Sequence, residues 1–207
     1  MMTSSADTSV TGFFVRYRTI DLVTIATLGV AFGVVYWVWN KAYATISDPL
    51  TVAYPPLAGL FGGVWLIAGV VGGLIVRKPG AALVTELIAA AVSLLVVGGT
   101  PWGFSTLASG FFQGLGAELV LALLLYRRFG VVVAACAGAL AGAFESFYEW
   151  SSYYADWDLA YKLAHLGFFA LSGAVVAGVG GWLLVQALAR AGVLDAFGPG
   201  REHAREV

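Results

Sequence analysis

Long apolar runs alternate with short polar breaks along the 207 residues. A bilayer-crossing helix needs about 20 mostly apolar residues. Six runs qualify: 20–42, 54–76, 80–98, 106–126, 131–150 and 160–190. Turn-forming residues separate them: DPL and PP after the first, KPG after the second, GGTPWG after the third, RRFG after the fourth and YADWD after the fifth. The last run is longer than a crossing requires, so its end is expected to tilt or project. The pattern predicts an all-α polytopic membrane protein. Its parts are an N-terminal tail over 1–19, a single six-helix transmembrane domain over 20–190 and a C-terminal tail over 191–207.

Charge gives the bundle a direction. Arg16 and Arg18 precede the first run, Arg77 and Lys78 follow the second, Arg127 and Arg128 follow the fourth, and Arg190, Arg201 and Arg205 follow the sixth. Only Lys41 and Lys162 fall at the other end, and nine against two predicts both termini on the cytoplasmic side. Asp48, Asp156 and Asp158 fall in the outer loops. The loop cations either meet cytoplasmic partners or act in orientation alone. With 60% hydrophobic and 11% charged residues, the chain is far from the roughly 25% charged content of soluble domains. A net charge of −1 gives no electrostatic case for nucleic acid. Cys136, the single cysteine, lies in an apolar run and reads as a small hydrophobe. The first 15 residues lack the basic, apolar and small-residue pattern of a signal peptide and read as a polar cytoplasmic tail.

Small residues recur four apart, as in Gly69 and Gly73, Gly110 and Gly114, Gly138 and Gly142, and Ala174 and Gly178. Such pairs let helix backbones approach closely inside lipid. In the first run, Ala26, Thr27, Gly29, Ala31 and Gly33 make a small face that either packs within the bundle or receives a partner helix.

Ionisable residues inside the spans mark candidate chemistry. A mid-bilayer carboxylate costs several kcal/mol unless paired, neutralised or watered. Glu86, Glu118, Glu145 and His165 fall inside predicted spans and Glu149 at an outer edge, with no basic residue deep enough to neutralise them. At about 1.5 Å per residue, Glu86 and Glu118 come out near one level, while Gln113, Glu145, Tyr148 and His165 lie further out. The expected arrangement is a cavity open to the outside, floored by Glu86 and Glu118 and walled by the others. The structural alternative makes Glu86 and Glu118 acids hydrogen-bonded between helices, Glu149 a solvated interfacial group and His165 a bundle histidine. Tyr36, Trp37, Trp39, Trp150, Tyr153, Tyr154 and Trp157 read as interfacial belts. Trp102 and Tyr148 are the aromatics best placed to stack on a flat ligand.

No Walker A loop, H-E-x-x-H, C-x-x-C or G-x-S-x-G occurs, so neither nucleotide hydrolysis nor metalloprotease chemistry is expected, and any ATP must be used by another chain. RKPGAALVTE at 77–86, FFQGLGAE at 111–118, LSGAVVAG at 171–178 and ARAGVL at 189–194 resemble the YkoE-type family. These are substrate-capture (S) components of energy-coupling-factor (ECF) vitamin transporters, associated with thiamine and its hydroxymethylpyrimidine precursor. The resemblance implies a six-helix protein that binds vitamin from outside. It also implies a transmembrane coupling (T) protein and two cytoplasmic ATPases as partners, with no cofactor or enzymatic activity of its own. Glu86, Gln113 and Glu118 match the family's motif positions and are implied as site or site-supporting residues. Two other classes stay open: a stand-alone proton-coupled carrier, and an integral-membrane lipid or isoprenoid enzyme using Glu145 and His165.

Overall fold

The computed structural model describes residues 17–206. The start of the expected N-terminal tail, with Arg16, lies outside the described residues. Helix α1 covers Thr19–Thr51. A 3-10 segment over Pro55–Leu66 runs into α2, Ile67–Val76. Then come α3 (Ala81–Leu95), α4 (Ser105–Leu123) and α5 (Val131–Ser152). A continuous helical stretch follows as α6 (Leu159–Ser172), a π-helical segment (Gly173–Gly180) and α7 (Gly181–Arg190). Helix α8 covers Gly198–Glu206.

Among the described residues five stretches are long and apolar enough to cross a membrane: Thr19–Thr51, Pro55–Val76, Ser105–Leu123, Val131–Ser152 and Leu159–Arg190. The expected third span is shorter as a helix, with 15 residues over Ala81–Leu95. Lys78 Nζ meets Asp21 Oδ2 at 2.5 Å, and Lys41 Nζ donates to the Gly98 carbonyl at 2.6 Å. Chain 78–98 therefore runs alongside residues 21–41 of α1, a length of about 30 Å.

Helix α2 sits at the centre. Residues 68–76 are buried all round, which only an all-apolar or glycine sequence such as AGVVGGLIV tolerates. Around it, α3 lies between α1 and α4, α4 packs on α5, and α5 packs on α6 and the π segment. Close approach makes this possible. A Cβ on Gly29 would lie 2.5 Å from Ile88, and one on Gly33 2.5 Å from Val92 and 2.9 Å from the Ala89 carbonyl. Ser172 ties the 3-10 segment to α6, accepting from Gly63 N at 3.0 Å and donating to the Leu60 carbonyl at 2.6 Å.

The small face of α1 is therefore two faces. Gly29 and Gly33 are buried against α3, the bundle-packing alternative for this face, and are not available to a partner as their place on a partner surface would require. Ala26, Thr27 and Ala31 point outward with Val23, Val30, Val34 and Val38. Tyr36 also departs from its interfacial reading, being 1% exposed inside the bundle.

The C-terminal region is not a free tail. Leu194 and Phe197 join the core, and Glu202 on α8 pairs with Arg77 at the end of α2. That hydrogen bond holds the Glu202 carboxyl below its ordinary range. A depressed folded-state value stabilises the clasp above the carboxylate range, and the contribution is lost as pH falls into the acid region.

Gly33→Leu should destabilise the detergent-purified protein by about 1–3 kcal/mol through overpacking, read as a lower thermal midpoint. Ala31→Leu, on the outward face, should change stability by less than about 0.5 kcal/mol.

Candidate functional site

At the Lys41 end of the bundle a cavity of about 50 Å³ opens between α1, the 3-10 segment, α3, α4, α5 and α6. Spacing on α4 builds its polar wall, because Ser109 and Gln113 are four residues apart and share a face. Gln113 Nε2 donates to Ser109 Oγ at 2.8 Å, and Ser109 Oγ donates to Glu145 Oε1 at 2.5 Å. Glu145 is 3% exposed, and its Oε2 has no hydrogen-bond partner among the described residues. Glu149, one turn along α5, also lines the cavity. Its Oε2 is 3.2 Å from His165 Nε2.

His165 lies behind the wall, fully buried, with Nδ1 2.9 Å from Ser146 Oγ. Tyr154, Trp157 and Phe169 surround its ring at centroid distances of 5.3, 5.6 and 5.5 Å. It stands behind two lining residues, Glu149 and Phe169.

The opposite wall is aromatic. Trp65 and Trp102 meet edge to face at 5.4 Å, and Tyr43 packs against both, at 4.9 and 5.8 Å. Trp65 Nε1 donates to Asn40 Oδ1 at 2.8 Å, fixing the indole plane. Trp102 is carried by the loop between α3 and α4, where Gly98, Gly99 and Gly103 adopt left-handed φ angles of 81°, 42° and 58°.

The two acids expected at the floor do something else. Glu118 accepts from the backbone N–H groups of Gly80 (2.6 Å), Ala82 (2.9 Å) and Leu83 (3.3 Å), and from Tyr126 OH (2.5 Å). It therefore caps the N-terminus of α3 at the far end of the molecule, where the unpaired amides and helix dipole favour negative charge. Glu86 Oε2 accepts from Gly69 N at 2.7 Å and Tyr36 OH at 3.1 Å, while Tyr36 OH accepts from Ala68 N at 2.9 Å. This pair serves the start of α2, where the 3-10 segment becomes α-helical. Tyr36 lines the cavity, so Glu86 stands one side chain behind it. Tyr148 also misses the cavity. It stacks on Phe112 at 5.3 Å and donates to the Ser105 carbonyl at 3.3 Å.

Of the sequence-selected residues, Gln113, Glu145, Glu149 and Trp102 thus come together at the cavity, and Glu86, Glu118, Tyr148 and His165 do not line it. Sequence reasoning missed Asn40, Trp65, Ser93 and Ser109. Each was visible as a hydrogen-bonding residue inside or at the edge of an apolar run, without charge to draw attention.

Over residues 20–144 the chain matches the family described as the permease component of ABC-type cobalt transport systems. The HMP/thiamine permease protein YkoE of Bacillus subtilis (strain 168) is 33% identical over 186 residues, 88% of this chain and 89% of that protein. The crystal structure of an S-component of an ECF transporter aligns with 92% of this chain and 95% of its own, with a TM-score of 0.83 and 30% identity.

The chain belongs to the ECF S-component family. It is a membrane transport component and not an enzyme. In this S component the acids at the cavity and the acid that holds a helix start are separated along the bundle. Glu145 and Glu149 present carboxylates at a cavity, and Glu118 spends its acceptors on a helix start.

Glu118→Ala should therefore cost stability, about 1–3 kcal/mol for a single abandoned buried donor and more if several stay dry. Thermal unfolding of the purified protein measures it, and Glu118→Gln, which keeps one acceptor oxygen, should lose less.

Proposed function

We propose that this S component takes up thiamine or hydroxymethylpyrimidine from the outer side of the cell membrane for ATP-driven import. The T protein and two cytoplasmic ATPases would supply coupling and energy, and ATP would be used only by those partners. The observation that carries the ligand class is Glu145 Oε2, a buried carboxylate oxygen without a donor, with Glu149 beside it on the same cavity. An aminopyrimidine offers amine donors to such oxygens, and hydrogen bonds to a charged group contribute roughly 1.5–3 kcal/mol each. The thiazolium of thiamine suits a second carboxylate and the edge-to-face indoles of Trp65 and Trp102. The polar lining consists of carboxylates, amides and hydroxyls, a donor set better matched to an organic cation than to a transition metal seeking imidazole or thiolate.

Ligand sites for drug-sized molecules run from about 300 to 1,000 Å³, so a cavity of about 50 Å³ must widen to admit either compound. The glycine-rich loop carrying Trp102 is the element proposed to move.

In the proposed topology both termini are cytoplasmic and the chain crosses six times, the 78–98 stretch providing the third crossing. The nine-to-two bias of Lys and Arg supports that orientation. The outward face of α1, with Ala26, Thr27 and Ala31, is the surface assigned to the T protein.

Calorimetric titration of the purified protein tests the ligand reading. Glu145→Gln should weaken thiamine or hydroxymethylpyrimidine binding about 10- to 100-fold, the equivalent of one charged hydrogen bond. Glu118→Gln should leave affinity within about twofold among molecules that remain folded. Unchanged affinity in Glu145→Gln would sink the assignment. Thiamine phosphates should bind far more weakly than thiamine, since two carboxylates and no cationic side chain line the cavity. Equal binding of a phosphate ester would contradict that electrostatic picture.

A further inference from the structure

At the end of the bundle opposite the cavity, a groove of about 570 Å³ collects cations from four parts of the chain. Arg18 precedes α1, Arg77 and Lys78 form the α2–α3 turn, Arg127 comes from the α4–α5 loop, and Arg201 and Arg205 from α8. Glu202 is the one carboxylate in its lining. Within the described residues, Asp21 pairs with Arg18 at 2.7 Å and with Lys78 at 2.5 Å, and Glu202 pairs with Arg77. Arg127, Arg201 and Arg205 have no carboxylate within 4.0 Å among the described residues. The groove thus keeps a cationic surplus after its internal pairs are formed.

Charge bias alone does not explain this arrangement. Orientation by positive charge requires cations near span ends but no common concavity. Here α8 is folded back by buried Leu194 and Phe197, which brings Arg201 and Arg205 over the α2–α3 turn. Phe129 is half-buried at the groove edge with Arg77 over its ring, and Val76 and Phe197, each 5% exposed, form the apolar base beneath. Val76 closes the apolar stretch Pro55–Val76, so the groove lies where a membrane-crossing segment gives way to charge. An anionic head with an apolar body fits that junction, because guanidinium groups bind phosphate through paired N–H donors.

We propose that this groove is a binding site for the phosphate headgroup of an anionic phospholipid. Arg127, Arg201 and Arg205 hold the phosphate oxygens, and Phe129 and Phe197 border the first part of the acyl chains. The site is independent of the vitamin reading, since it shares no lining residue with the cavity at the other end.

The test is lipid retention by the full-length protein in neutral detergent, read by native mass spectrometry. Phosphatidylglycerol should be retained over phosphatidylcholine. In the Arg127→Gln/Arg201→Gln double variant that preference should fall about tenfold or more, since each cation near a membrane surface contributes about 1 kcal/mol. Both side chains are exposed, which favours a folded variant, and Arg205→Gln alone should give a smaller loss in the same direction. Raising NaCl should weaken retention in the wild type. Equal retention of the two lipids, or a preference untouched by all three substitutions, would overturn the proposal. Inorganic phosphate displacing phosphatidylglycerol at millimolar concentration would assign the groove to a free anion instead of a lipid. Thiamine titration of the double variant separates this result from the cavity, because its affinity should match wild type.

Discussion

A carboxylate placed among apolar helices must find donors, and the whole bundle is arranged around how that demand is met. Glu118 and Glu86 meet it with backbone amides: three N–H groups at the start of α3 for one, and Gly69 N for the other, with a tyrosine hydroxyl added in each case. Helix starts inside a membrane have unpaired amides of their own. Joining the two deficits satisfies both oxygens of Glu118 and Oε2 of Glu86, and it also locks α4 to α3 and α3 to α2 and α1. The acids are therefore part of the scaffold, and their geometry sets the relative depth of four helices.

Among the described residues two buried carboxylates keep one oxygen without a hydrogen-bond partner, Glu86 at Oε1 and Glu145 at Oε2, and of the two only Glu145 lines the cavity. Ser109 serves one oxygen, and the other faces the cavity side of α5 without a donor. Gln113 donates one of its two amide hydrogens to Ser109 and keeps the other on the Glu145 side, while His165 Nδ1 faces Ser146 and its Nε2 stands 3.2 Å from Glu149. The opposite end carries the surplus of positive charge, so the two ends of the bundle differ in the sign of their charged lining.

The broad architecture was legible in the apolar pattern, because runs of this length admit few alternatives to spanning helices. Where the pattern failed, the causes are local. Helix α1 continues past the expected boundary at 42 to Thr51, with Pro49 inside its last turn, since a projecting helix end tolerates a missing amide. The third run loses its last residues to a glycine turn, in which Gly99 N donates to the Val96 carbonyl at 2.7 Å. The small face of α1 could not be divided from sequence, as residues four apart mark a stripe without naming the neighbour. Glu118 was misplaced for a deeper reason. A depth estimate measures distance from charged partners and water, but its actual partners are the amides of another helix, which no residue code displays. Family resemblance carried over Glu86, Gln113 and Glu118 together, and only Gln113 reaches the cavity.

The most direct measurement of the central claim is an experimental structure of the protein with thiamine bound. The account predicts a ligand nitrogen within about 3 Å of Glu145 Oε2, with Glu118 still seated on the amides of Gly80 and Ala82. A ligand held by Glu118, or one seated in the cavity with Glu145 turned away from it, would contradict the division of labour between scaffold acids and binding acids.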